Sequence, residues 1–274
     1  MDRVIDYYTG YGEREWSRLD REPIEFIVNW HYIKKYMPAD GEILDNGAGP
    51  GKYAMKLAQD GYGVTLTDLT PRLVEIAKQK AQELELYDRF RGFHVLNATK
   101  LSLLLNEQFD GVLMLGPLYH LQEEEDRNQA VRELHRVTKD NGIVCVAFRS
   151  RIHHVLNSLL HPEHWKPNNY MDRIHEFNQT GIFNHTDEGR YTGAYFYQLE
   201  EINPFMERHG FEQIELIGST NIGAMLNQDQ WAYWRNKGEE EYRKLISLLI
   251  DSASDPSVLG MSSHLLYIGR KQGV

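Results

Sequence analysis

The stretch "ILDNGAGPGKY", residues 43–53, places glycines at 47, 49 and 51 directly behind Asp45 and an apolar run. "EILD" (42–45) reads as a strand, and "KYAMKLAQDG" (52–61) reads as a helix ended by Gly61. A strand, a glycine turn and a helix N-terminus supply close backbone approach and unpaired N–H groups at one point, which suits an anion or a nucleotide. The spacing narrows the choice. The dinucleotide fingerprint needs a further glycine at position 52, where this chain has Lys52, so a nicotinamide cofactor is disfavoured.

On either side, short apolar runs alternate with helical periodicity from residue 43 to 148, the pattern of a parallel sheet with crossover helices. "GVTLTD" (63–68) is the second strand. Thr70 as N-cap and Pro71 at the first helical position then open a helix whose apolar face is Leu73, Ile76, Ala77, Ala81 and Leu84. "FHVLNA" (93–98) and "DGVLMLG" (110–116) read as the third and fourth strands. The next helix has Glu123, Glu124 and Glu125 in its first turn, buries Ala130, Leu134 and Val137, and is stopped by Asn141 and Gly142. "IVCVAF" (143–148) is a fifth, buried strand. Residues 150–198, rich in aromatics and histidines without a clean period, read as an irregular lid. A helix from about 200 to Gly210, a strand "FEQIELIG" (211–218), an insertion with one long helix in "DQWAYWRNKGEEEYRKLISLLI" (229–250) and a strand "SHLLYIGR" (263–270) complete the chain.

The 274 residues are 41% hydrophobic, enough for one large core, and are expected to form a single domain. Within it, 1–40 reads as a helical N-terminal cover, 41–149 as a cofactor-binding core, 150–198 as a substrate lid, and 199–274 as the rest of the core with a helical insertion at about 222–257. A formal net charge of −10 gives little support for gripping a phosphate backbone, so no nucleic-acid partner is expected. Cys145 is the single cysteine, which excludes an internal disulfide and fits a reducing compartment. With no apolar N-terminal run and no 18 consecutive apolar residues, a cytoplasmic, soluble protein without membrane contact is expected.

The loop Asp45-x-Gly47-x-Gly49-x-Gly51 resembles motif I of the class I S-adenosylmethionine (SAM) methyltransferases, and the likeness continues over most of the chain. It implies an α/β, Rossmann-like, doubly wound sheet of seven mostly parallel strands, the last antiparallel, with lid insertions. It also implies SAM as cofactor and S-adenosylhomocysteine as product. By resemblance Asp45 organises the glycine loop, Asp68 with Leu69 sits at the ribose, Asn97 and Ala98 lie beside the adenine, and main-chain groups near Leu115 and Gly116 meet methionine and adenine. "LGPLYHL" (115–121) looks like the family's small-molecule branch, and "RELHRVTKDNGIVCVAF" (132–148) matches its next helix, turn and strand. Two departures matter. Asn97 replaces the usual acid, and "GPLY" stands where many amino-methylating nucleic-acid and protein enzymes carry Asp or Asn followed by Pro-Pro-Tyr or Pro-Pro-Phe.

Methyl transfer needs alignment and a dry cavity more than a dedicated base. His120, three residues past Pro117, is either a base for the acceptor or a residue of the cavity wall, and Tyr119 a packing or pocket contact. In similar enzymes an N-terminal segment closes over the cofactor. Here Tyr7, Tyr8 and Trp16 are candidates to cover the sulfonium, and Arg18 to pair with the methionine carboxylate. Tyr191 and Tyr195, with Gly193 and Tyr197, fall on one side of a strand and are candidates for the acceptor pocket. The histidines of the lid, with His161-x-x-His164 as their one useful pair, do not make a metal site. The favoured reading is methyl transfer to a small-molecule acceptor. A SAM-binding sensor without turnover, or an RNA or protein methyltransferase, is the alternative; oligomeric state is open.

Overall fold

The computed structural model describes residues 2–21, 23–184 and 193–273. Strands β1 (Glu42–Asn46), β2 (Gly63–Asp68), β3 (Phe90–Val95), β4 (Phe109–Met114), β5 (Thr138–Arg149), β8 (Phe211–Gly218) and β9 (His264–Lys271) form one sheet in the order β3-β2-β1-β4-β5-β9-β8. β6 (Ile182–Phe183) and β7 (Ala194–Tyr195) make a separate hairpin. β1 to β5 pair in parallel, and β9 runs antiparallel to both β5 and β8. This is the seven-stranded, mostly parallel Rossmann-like sheet with an antiparallel last strand.

Alternation along the strands divides the core between the two faces of the sheet. Ile43 joins Leu57, Val64 and Leu66 on one side; Leu44 joins Val112, Val144 and Leu134 on the other. Strand order reverses at β1, which has β2 on one side and β4 on the other. At such a switch point the crevice beyond the strands' carboxyl ends stays open to a ligand.

Four differences from the sequence expectation have a visible cause. β3 ends at Val95 rather than 98: Leu96 N–H still donates to Asp68 O (3.0 Å), and then Asn97 Oδ1 turns the chain by accepting from Thr99 N (3.1 Å). The helix Glu124–Val137 stops four residues before Asn141, where the Thr138 hydroxyl caps Leu134 O (2.6 Å). Asn141 (φ 62°) instead bends the long strand β5. The helix expected over 229–250 breaks at Gly238 (φ 110°) into Gln228–Asn236 and Glu239–Asp251.

The fourth difference is the lid, which is more regular than its sequence suggests. It contains the helices Arg151–Leu160 and Met171–Thr180, and its aromatics close on each other. The buried His154 ring lies 4.4 Å from Phe196, 4.5 Å from Phe183, 4.7 Å from Phe177 and 4.8 Å from Trp165, centroid to centroid. Arg151, 3% exposed, ties this small core to the sheet domain. Its Nε donates to Phe196 O (3.0 Å) and its Nη2 pairs with Glu201 (3.0 Å).

Candidate functional site

The glycine loop turns at the carboxyl end of β1. Gly47 N and Ala48 N both donate to Thr67 O (2.8 and 3.0 Å), which fastens the loop to β2. Gly47, Gly49 and Gly51 all have positive φ (71°, 58° and 86°), a region where side chains are strained. At Gly47 there is also no room, since a Cβ would stand 2.0 Å from Pro117 Cγ. Glycine there lets the turn after β4 close against the loop. Gly49 has nothing nearer than 3.9 Å to a Cβ and fronts open space.

That space is a cavity of about 460 Å3. Of the predicted cofactor contacts, Asp45, Gly47, Gly49, Asp68, Leu69, Asn97, Ala98, Leu115 and Gly116 line it, as do Tyr8, Arg18, Tyr119 and His120. Gly51 lies behind the loop, its Cβ position facing Leu66 and Ala77 rather than the cavity. Its role is to pack the helix Lys52–Gln59 against β2.

Two acids face each other across the loop. Asp68, 9% exposed, accepts from Gly49 N with Oδ2 and from Thr70 N with Oδ1, both at 2.8 Å. It therefore shapes the glycine loop and opens the next helix at once. Burial raises its pKa against those two bonds. Asp45, 2% exposed, is pushed up to about 7 by burial and by the nearby Asp68 charge, opposed by a backbone bond from Ala54. Its Oδ2 is buried with no hydrogen-bond partner among the described residues. A buried carboxylate oxygen without a donor is costly, and a cationic ligand group would relieve it.

The N-terminal helices cover this cavity with Tyr8 and Arg18. Arg18 is more committed than its sequence position suggests. Nε donates to Glu15 Oε1 (2.8 Å) and the two terminal nitrogens reach Glu25 (3.2 and 3.4 Å). Burial opposes the guanidinium charge, but Glu25 and Glu15 outweigh it and raise the pKa. For Glu25, 7% exposed, burial is likewise outweighed by Arg18, His264 and Arg149, which hold it ionised. Trp16 is a correction: it does not line the cavity but packs on the core beneath Lys52 (Nζ 4.7 Å from the ring) and Lys80 (5.6 Å).

At the other end, Pro117–His120 forms one helical turn after β4, and Tyr8 Oη meets His120 Nε2 at 3.0 Å across 112 residues. The His120 ring also bonds the Gly193 main chain. Burial and the Arg149 charge lower its pKa to about 4, so the imidazole is neutral at physiological pH. The lid closes this end through Asn184, whose Oδ1 accepts from Gln122 Nε2 (2.6 Å). Tyr195 is the second correction. It lines a separate depression, with Arg127 Cζ 3.6 Å above its ring, and Tyr191 lies outside the described residues.

Sequence reading missed Glu25, Gln122, Glu123, Asp126 and Asn184, all cavity-lining. Glu25 carried a signal, a lone acid within the apolar run "PIEFIVNW" (23–30). Among the described residues no group of three or more His, Cys, Asp and Glu could hold a metal, and no helix is long and apolar enough to cross a membrane.

The cavity fits an adenosyl-sulfonium group on three counts: an orphaned buried oxygen at Asp45, an open backbone cradle at Gly49, and an acid at the end of β2. Comparison with known proteins agrees. The family described as Methyltransferase domain matches residues 44–146. A glycine/sarcosine N-methyltransferase of Parasynechococcus marenigrum is 28% identical over 109 residues, 39% of this chain and 38% of the relative. A tRNA (carboxymethyluridine(34)-5-O)-methyltransferase of Arabidopsis thaliana is 32% identical over 124 residues, 44% and 28% of the two. The alignments thus span well under half the length of these curated relatives. In fold, a SAM-dependent methyltransferase from Methanosarcina mazei superposes with a TM-score of 0.59 at 19% identity, covering 88% of this chain and 97% of that one. A Burkholderia thailandensis 1,6-didemethyltoxoflavin-N1-methyltransferase, solved with S-adenosylhomocysteine, gives 0.57 at 13% identity over 99% and 88%. Residues 44–146 thus match the family described as Methyltransferase domain, and the sheet around them has the fold of the solved methyltransferases the chain resembles.

Proposed function

We propose that this protein transfers a methyl group from SAM to a small-molecule acceptor held between His120, Tyr8 and the lid. The supporting observation is the charge of the cavity wall. It carries Glu15, Glu25, Asp45, Asp68, Glu123 and Asp126 against Arg18 and Lys52. Arg18 is paired with two of those acids and Lys52 lies over Trp16. A tRNA or other polyanion would meet carboxylates at the mouth, where recognition of a phosphate backbone calls for cations. A small neutral or amine-bearing acceptor meets no such repulsion.

When bound, SAM supplies a methyl group already activated on a sulfonium for in-line displacement. The chain's residues then have three tasks. Asp68 fixes the ribose end through oxygens that also brace the loop, and Asp45 offers its unpaired oxygen to the methionine amine. The N-terminal helices and the lid exclude water and hold the acceptor in line, the orientation effect that supplies about 7–11 kcal/mol of barrier in favourable cases. His120, neutral and bonded to the Gly193 main chain, takes a proton from a hydroxyl or amine acceptor through the Tyr8 hydroxyl at its Nε2, Tyr8 passing its own proton on and receiving the acceptor's.

The test is incubation of purified protein with SAM and, separately, a panel of small amines, phenols and carboxylates, and deproteinised total tRNA, with S-adenosylhomocysteine read by mass spectrometry. Product with a small acceptor and none with tRNA is the expected result. Methylation of tRNA alone would overturn the acceptor class.

A further inference from the structure

Arg127, near the start of the helix Glu124–Val137, is 6% exposed, and its partners are two carbonyls and a ring rather than a carboxylate. Helical side chains lean back towards the N-terminus of their helix. This one reaches back over the turn that precedes its own helix, where Nη1 donates to Leu121 O (2.9 Å) and to Gln122 O (2.5 Å). The flat face of the guanidinium lies over Tyr195 of the lid hairpin, with Cζ 3.6 Å from the ring centre. One side chain from the sheet domain thus grips the turn after His120 and the lid at once, a task that needs both the fork and the face of an arginine.

What that turn presents to the lid is Gln122. Its side chain lines the cavity, and its amide nitrogen donates to Phe183 O (3.2 Å) and to Asn184 Oδ1 (2.6 Å), at the end of β6. Beside β7 the fit is as close: a Cβ at Gly193 (φ 85°) would stand 2.5 Å from Gln122 Nε2. Gln122 is therefore a seat for both strands of the hairpin, and its own main chain is held by Arg127. Arg127 does not line the cavity; it lines the separate depression with Tyr195. The cofactor end is braced by other contacts, Asp68 on Gly49 N and Thr67 O on Gly47 N and Ala48 N.

We infer that Arg127 is a positioning residue for the acceptor: it holds Gln122 where that amide seats the lid on the acceptor end of the cavity. The inference rests on the acceptor site proposed above and adds to it a residue outside the cavity. Without the arginine the turn loses its tether, the lid lifts, and the acceptor is held less well while SAM keeps its own contacts.

Steady-state kinetics on Arg127→Ala, Gln122→Ala and the double variant, with SAM affinity read by calorimetry, test this. Each single variant should raise KM for the acceptor about tenfold or more, change kcat by less than about threefold and leave the SAM Kd within about twofold. The double variant should be no worse than the poorer single by more than about twofold, because the arginine acts through the amide. Arg127→Lys keeps the charge and one donor but not the flat fork, so it should fall between wild type and Arg127→Ala, and it carries the test if Arg127→Ala does not fold. Hydrogen exchange supplies a readout that does not depend on the acceptor. In the folded variants, exchange over residues 182–184 and 193–196 should speed up about tenfold or more while β2 keeps its wild-type protection. A wild type that methylates no small acceptor would sink the acceptor reading, and the exchange pattern would then decide the role of Arg127. An unchanged acceptor KM in folded Arg127 variants, effects that multiply in the double variant, or lid exchange as slow as in the wild type would each overturn the inference.

Discussion

Asp45, just before the glycine loop, and Asp68, bonded to its middle, meet different demands. Asp68 has two backbone donors, and in the proposed function it also holds the ribose. Asp68→Ala is expected to weaken SAM binding by about 1.5–3 kcal/mol. Asp45 is buried with one oxygen unpaired, and burial with the Asp68 charge places its pKa at about 7. Its folded pKa lies above the unfolded value, so its contribution to stability is present at low pH and lost as pH rises through about 7. Asp45→Asn should therefore stabilise the ligand-free protein above pH 7, on the order of 2–4 kcal/mol, while sharply weakening SAM binding. Thermal unfolding at pH 6 and pH 8 with and without SAM checks both halves; an equal or lower stability at pH 8 would contradict the burial argument. For His120, the lowered pKa of about 4 keeps the ring neutral down to mildly acid pH. If it is the base, kcat/KM should show no inflection from this group near pH 6.5 and should fall only towards pH 4, and His120→Ala should cut kcat by 10²-fold or more with SAM affinity nearly intact. Equal rates would make it a wall residue.

At the scale of elements, the parallel half of the sheet was legible because its central strands are short apolar runs and its crossover helices carry apolar faces; the stop read at Asn141 was not one, because that residue lies within β5. β8 falls where its run of apolar and polar residues places it, 211–218. The glycine loop and Asp68 were legible for a different reason, since spacing alone distinguishes alternate glycines from the dinucleotide pattern. What could not be read was set by long-range contacts. Trp16 was drawn off the cavity by Lys52 and Lys80, Tyr195 by Arg127, and Arg18 was engaged by Glu25 from the next helix. The lid looked irregular because its periodicity is inverted, with arginine and histidine inward and leucines outward. Its anchorage through Arg151 makes a prediction at this scale. Arg151→Ala leaves the Phe196 carbonyl unpaired and Glu201, which is partly exposed, with only the Gln198 N–H, which should cost about 1–3 kcal/mol of stability and raise KM for the acceptor more than for SAM. Urea midpoints and steady-state kinetics measure it; a change in SAM affinity alone would show that the lid does not form the acceptor end.

Over the whole molecule, the cavity lies at the carboxyl ends of the sheet's central strands, beneath two covers. The N-terminal helices reach the cavity with Tyr8 and Arg18, the lid reaches it with Asn184 and bonds His120 through Gly193, and Tyr8 meets His120 between them. The acid-rich wall on an acidic chain is the observation behind the proposed small acceptor. All of this rests on SAM occupying the cavity. The most direct measurement is a calorimetric titration of the folded, ligand-free protein and of Asp68→Ala with SAM, S-adenosylhomocysteine and NAD. One-site micromolar binding of the first two, no heat with NAD, and a 10- to 150-fold loss in the variant, the equivalent of about 1.5–3 kcal/mol, is the predicted result. Absence of SAM binding, or an unchanged affinity in folded Asp68→Ala, would contradict the site described.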